Sequence, residues 1–103
     1  MAFVTGSQVY GTPHDKSDVD LVVLLPSAVI EALRVHSEDK GTLRFGKLNV
    51  LALAKGVAEH EEFYAKWEKV TQELIERKPV TREQAIEARI AAGIGCLPKG
   101  VYE

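Results

Sequence analysis

Two aspartates, Asp18 and Asp20, stand two residues apart where the polar stretch Thr12-Pro13-His14-Asp15-Lys16-Ser17 gives way to an apolar run, Leu21 to Leu25. Valine and leucine at consecutive positions over 19–25 mark a strand buried on both faces. Alternation along such a strand puts both carboxylates on one side, their Cα atoms about 6.7 Å apart. Carboxylates converging on one side repel each other unless a positive charge sits between them. A hard divalent ion such as Mg²⁺ is the natural occupant, because it prefers oxygen ligands, keeps several waters and completes its shell with substrate phosphates. Asp18 and Asp20 are therefore the metal-ligating candidates.

Gly6-Ser7 supplies a complementary element. It lies where the short apolar stretch Ala2–Thr5, read as a strand, gives way to residues 7–11, which can hold one helical turn. Backbone N–H groups at such a junction can bind an anion. Glycine lets the backbone approach a phosphate closely, and the Ser7 hydroxyl adds a donor. If Gly6-Ser7 and the two aspartates hold one nucleoside triphosphate, the end of the first strand lies beside the start of the second. The two strands then run antiparallel, with the short helix between them.

The remaining elements must frame this pair. Pro26-Ser27 ends the second strand, and Ser27 is the expected N-cap of a helix over about 28–37, with Val29, Ile30 and Leu33 as its apolar stripe. Thr42 to Phe45 and Leu48 to Leu53 read as two strands around a Gly46-Lys47 hairpin turn, or as one longer bent strand. From about Val57 the pattern is helical: Phe63, Trp67, Val70 and Leu74 recur at spacings of four, three and four. Pro79 ends that helix. Thr81 and Gln84 form a capping box, with Val80 and Ala85 as a hydrophobic staple, for a last helix from Arg82 to about Ala92. The expectation is one α+β domain over 1–103: a small mixed or antiparallel sheet with its motif over 2–54, and two C-terminal helices over 57–92.

Strand, Gly-Ser, ten residues, Ser-Asp-x-Asp and an apolar strand together resemble the nucleotidyltransferase superfamily that includes DNA polymerase beta. The closer likeness is to minimal nucleotidyltransferase domains, including the antitoxin partners of HEPN toxins, where Gly-Thr in the gap and a Ser before the first Asp recur. Gly11-Thr12 and Ser17 fill those places here. Arg44 to Leu51, Phe63 to Trp67 and Pro79 to Arg82 are similar to small nucleotidyltransferase-like proteins of phages. The resemblance implies transfer of an NMP from an NTP to a hydroxyl or phosphate acceptor with Mg²⁺ or Mn²⁺. Gly6, Ser7, Gln8, Thr12 and Ser17 would bind the nucleotide, and Asp18 and Asp20 the metal. A third carboxylate is usual on a later strand; the corresponding position carries Asn49. Asparagine offers a carbonyl oxygen but no charge, and cannot act as a base. Glu38 and Asp39 are nearby carboxylates in sequence, expected in a loop. Many members carry Arg after Gly-Ser, where Gln8 stands here.

The overall composition narrows the classes. Thirteen lysines and arginines against fifteen acidic residues give a net charge of −2, with no basic surplus for broad capture of nucleic acid. With 46% hydrophobic residues there is enough apolar material for a core. A single cysteine, Cys96, rules out a disulfide framework and a cysteine-based zinc site. No apolar run approaches the roughly 20 residues of a membrane span, and no secretory leader is evident, so a cytoplasmic location is expected (the host cytoplasm if phage-encoded). His14 reads as a solvated loop residue or a contact to a phosphate or an acceptor, and Tyr10 as a packing residue or a base platform. Phe63 and Trp67 read as a core stripe ahead of a base platform. Arg44 and Lys47 flank the hairpin, either against phosphates or in solvent. Arg82 and Arg89, two turns apart on one helix face, could bind an anion or a partner there, with solvent as the default. Two functions compete: a transferase with a protein or other hydroxyl acceptor, and a weakly active or inactive module that binds a nucleotide or a host or toxin protein. The acceptor pocket would come from the C-terminal helices, from a second subunit, for which an exposed sheet edge leaves room, or from the acceptor itself.

Overall fold

A computed structural model of the chain describes residues 1–11, 19–38 and 43–98. The elements are β1 (Ala2–Thr5), α1 (Ser7–Tyr10), β2 (Val19–Leu25), α2 (Ser27–His36), β3 (Leu43–Phe45), β4 (Leu48–Ala54), α3 (Ala58–Glu76) and α4 (Arg82–Ala91). The fold is α+β, with a four-stranded mixed sheet in the order β1-β2-β4-β3. β1 pairs antiparallel with β2, as the shared-phosphate argument requires. β2 and β4 are parallel, and the crossover such a pair needs is supplied by α2 and β3.

Alternation along the central strands divides the apolar residues into two cores. Val22 and Leu24 of β2, with Leu51 and Leu53 of β4, meet Phe63, Tyr64, Val70 and Leu74 of α3 on one face. Val23, Val50 and Ala52 meet Leu43 and Ile30 of α2 on the other. β2 and β4 therefore carry continuous apolar sequence because both their faces are covered.

The local signals hold with one exception. Gly46 opens the β3–β4 turn at φ +64, so the two-strand hairpin, and not a single bent strand, is the outcome. The α4 capping box is complete, with Gln84 N–H donating to Thr81 Oγ1 and Thr81 N–H to Gln84 Oε1. Ser27, expected as the cap of α2, is instead its first residue. Pro26 occupies the cap position, and its carbonyl accepts the first helical bonds from Val29 and Ile30 at 3.0 and 3.2 Å, with no side-chain cap.

Two bonds tie α3 to the sheet, and a third ties the connection into α4 to α1. His60 Nδ1 accepts the Ala54 N–H at 2.9 Å, joining the start of α3 to the end of β4. The buried hydroxyls of Thr5 and Thr71 lie 3.0 Å apart, joining α3 to the end of β1. Val80 N–H donates to the Tyr10 carbonyl at 2.7 Å, so the connection into α4 is fixed against α1. No helix among the described residues is long and apolar enough to cross a membrane.

Candidate active site

The strand register assembles one polar row. Thr5 pairs with Asp20, Asp20 with Asn49, and Asn49 with Arg44, so these four residues lie abreast across all four strands. Residues abreast share a face. That face is the α3 side, because Thr5 bonds to Thr71 and because Val22 and Leu51, two residues further along, lie in the α3 core. The row occupies the amino ends of the parallel pair β2 and β4. Open parallel sheets usually bind ligands beyond the carboxyl ends of their strands. Here the antiparallel return of β1 delivers the Gly6 turn to the opposite end.

Gly6 and Asp20 are in direct apposition. Gly6 has φ +88, and an ideal Cβ built on it would overlap Asp20 Oδ2 and come within 3.2 Å of its Cγ. Any side chain at position 6 would therefore strain the backbone and collide with the carboxylate. From this turn the chain enters α1, whose Val9 and Tyr10 N–H groups donate to the Gly6 carbonyl. Ser7 opens α1. Gln8 lies half-buried in α1 and lines neither cavity described below. Thr12, Ser17 and Asp18, the other expected ligands, lie outside the described residues, as do His14 and Asp39.

Asn49 stands beside Asp20 at the place expected for a third carboxylate. Its Oδ1 accepts from Arg44 Nη1 at 3.0 Å, so a guanidinium occupies this end of the row. Arg44 is thus part of the site's architecture and not simply a solvated hairpin residue. Glu38 does not substitute for the missing charge: its Oε1 accepts the Gly46 N–H at 3.1 Å and clips the hairpin turn. Among the described residues no group of three or more His, Cys, Asp or Glu side chains converges.

Two adjoining cavities open on the row. One, of about 290 Å³, includes Thr5, Asp20, Asn49, Trp67 and Arg89 in its lining. The other, of about 670 Å³, extends past Gly11 to Thr81 and Arg82 at the start of α4. Gly6, Tyr10, Asp20 and Arg89 line both. Volumes of this order are those of ligand sites. Residues 1–92 match the family model of the nucleotidyltransferase domain. The chain belongs to this family. The match runs from β1 to the end of α4, so it takes in Gly6, Ser7, Asp18, Asp20 and Asn49 and also the helices that close the cleft. No curated protein and no solved structure matches the chain.

The α3–α4 wall of this nucleotidyltransferase domain differs from its sequence expectation. Arg89 is half-buried, not solvated, with Cζ 4.6 Å from the centroid of the Trp67 ring. Trp67 is held edge-on by Phe63 and Phe3, at centroid distances of 5.2 and 6.4 Å, so it is core on one side and cavity wall on the other. Tyr10 likewise both packs on the core and lines the cleft. The spacing of Arg82 and Arg89 put them on one face; nothing in local sequence put Trp67 under Arg89.

Proposed function

We propose that the domain binds a nucleoside triphosphate in the cleft over Gly6 and Asp20 and transfers its NMP to a hydroxyl acceptor. The acceptor oxygen bonds to the α-phosphorus, the bond from that phosphorus to the bridging oxygen breaks, and pyrophosphate leaves. The acceptor proton passes to water, since Asn49 cannot take it. The observation that carries this reading is the apposition of the Gly6 turn and the Asp20 carboxylate where both cavities open, which brings a glycine backbone and an oxygen ligand to one point. That donor set suits a hard cation. Mg²⁺ or Mn²⁺ held by the carboxylates of Asp18 and Asp20 would neutralise charge on the phosphates. A protein hydroxyl is the acceptor class we favour, on the sequence resemblance to antitoxin nucleotidyltransferases.

A second reading keeps nucleotide or partner binding and drops turnover. It is favoured by the Arg44–Asn49 bond, which replaces a carboxylate with a neutral amide and a cation. Incubation with labelled ATP, CTP, GTP and UTP, a divalent metal and candidate acceptors separates the two. Label that transfers with the wild type and vanishes with Asp18→Ala or Asp20→Ala supports the transferase. Nucleotide binding by calorimetry with no transfer to any acceptor supports the binding module. Asn49→Asp sharpens the choice, because a gain in transfer would place position 49 at the missing carboxylate.

A further inference from the structure

Arg89 is the only cation among the described residues that lines both cavities. Its guanidinium lies over the Trp67 ring, with Cζ 4.6 Å from the ring centroid. Its Nε is buried and has no hydrogen-bond partner, and among the described residues no carboxylate pairs with it. A buried guanidinium nitrogen left without an acceptor is costly, and one in a native structure calls for a role. Across the cleft are the Gly6 turn and Asp20, which line the same two cavities. α1 brings no charge of its own, its residues being Ser7, Gln8, Val9 and Tyr10.

Resting on the function proposed above, we propose that Arg89 is a binding residue for the nucleotide's polyphosphate, reaching from α4 across the cleft to the phosphates seated at Gly6. The planar fork matches phosphate oxygens bidentately, and stacking on Trp67 removes the rotamer freedom such a side chain otherwise loses on binding. Trp67 is then a positioning residue, since it holds Arg89 without touching the phosphates. The ligand chemistry is a polyphosphate, free or carried by a nucleoside.

Calorimetry on the full chain tests this with each of the four NTPs in Mg²⁺, the nucleoside of the best binder, and inorganic triphosphate. Arg89→Met keeps the length of the side chain against Trp67. It is expected to weaken NTP and inorganic triphosphate about tenfold or more, the loss of one charge-assisted contact, with the nucleoside unchanged. Arg89→Lys should recover part of that loss, and Arg34→Gln, on the opposite face of the sheet, should bind as the wild type does. Triphosphate binding equal to the nucleotide's would assign the contact to the phosphates alone and supports the proposal. Equal NTP affinity in the wild type and a folded Arg89→Met overturns it, and so does an equal loss for NTP and nucleoside. Arg89→Gln repeats the readout if Arg89→Met does not fold. A wild type that binds none of the NTPs overturns both the function and this inference; a wild type that binds beside an indifferent Arg89→Met overturns the inference alone.

Discussion

The two faces of the sheet are built from the same four strands and do different work. Under α2 the inward residues are apolar along the whole length of the strands: Leu21, Val23 and Leu25 on β2, with Leu48, Val50, Ala52 and Ala54 on β4. Under α3, β2 and β4 are apolar only beyond Asp20 and Asn49, at Val22, Leu24, Leu51 and Leu53, and the row of Thr5, Asp20, Asn49 and Arg44 lies at their amino ends. A shift of one residue exchanges the faces, so the placement of chemistry on one side is set by the pleat alone. The α2 face can therefore carry stability while the α3 face gives up part of its packing to a polar row and two cavities.

The largest contrast should come from one substitution on each face. Asp20→Ala should lower nucleotidyl transfer by a factor on the order of 100 or more, the scale of losing one electrostatic contact in an active site. Circular dichroism should show the fold retained. Leu43→Ala should do the reverse. Leu43 is fully buried under α2, so the deletion leaves a cavity and costs about 2–5 kcal/mol. In a chain of this size that is a fall in Tm of about 10 °C or more. NTP affinity, measured well below the new Tm, should stay at the wild-type value. A changed affinity in folded Leu43→Ala would break the comparison, because it would show that the two faces are coupled.

A smaller effect should mark the seam between the two roles. Thr5 ends the polar row and yet its hydroxyl is spent on Thr71 inside the α3 core. Thr71→Val strands a buried hydroxyl and should cost about 1–3 kcal/mol in urea unfolding. Adding Thr5→Val should recover much of that loss, since replacing both partners by apolar groups of similar shape removes the unsatisfied group. A double variant no better than the single one would mean that Thr5 also serves the cleft, whose smaller cavity it lines.

What was legible in the sequence follows the range of the forces involved. The β2 apolar run, the α4 capping box and the Gly46 turn are local, and each appears where its residues placed it. The apposition of Gly6 and Asp20 was reachable because one ligand held by both would require β1 to end where β2 begins. The α2 cap was misread because Ser27 has the favoured cap side chain, while the geometry of Pro26 let its carbonyl begin the helix one residue earlier. Arg89 defaulted to solvent for a different reason. Its environment depends on the packing of α4 against α3, fixed by the Val80–Tyr10 bond and by the aromatic cluster of Phe3, Phe63 and Trp67, and none of those contacts has a local signature.

The smallest effect concerns Tyr64, deep on the α3 face beside Phe3 at a centroid distance of 5.1 Å. Burial, helped by the Glu68 carboxylate, pushes its phenol above the ordinary value of about 10. In the unfolded chain the phenol ionises at its ordinary pKa, while the folded chain holds it neutral. The stabilisation is therefore fully present below about pH 10 and is lost as the pH rises from there through the folded pKa. Urea midpoints taken across that window should fall more steeply for the wild type than for Tyr64→Phe, whose ring keeps the packing and has no proton to lose. Among the described residues the α2 core holds no titrating group, so the same series on Leu43→Ala should run parallel to the wild type at a lower level. Parallel curves for wild type and Tyr64→Phe would instead mean that the phenol is as well solvated as in the unfolded chain, and that the α3 face is wetter below its polar row than the packing of Tyr64 implies.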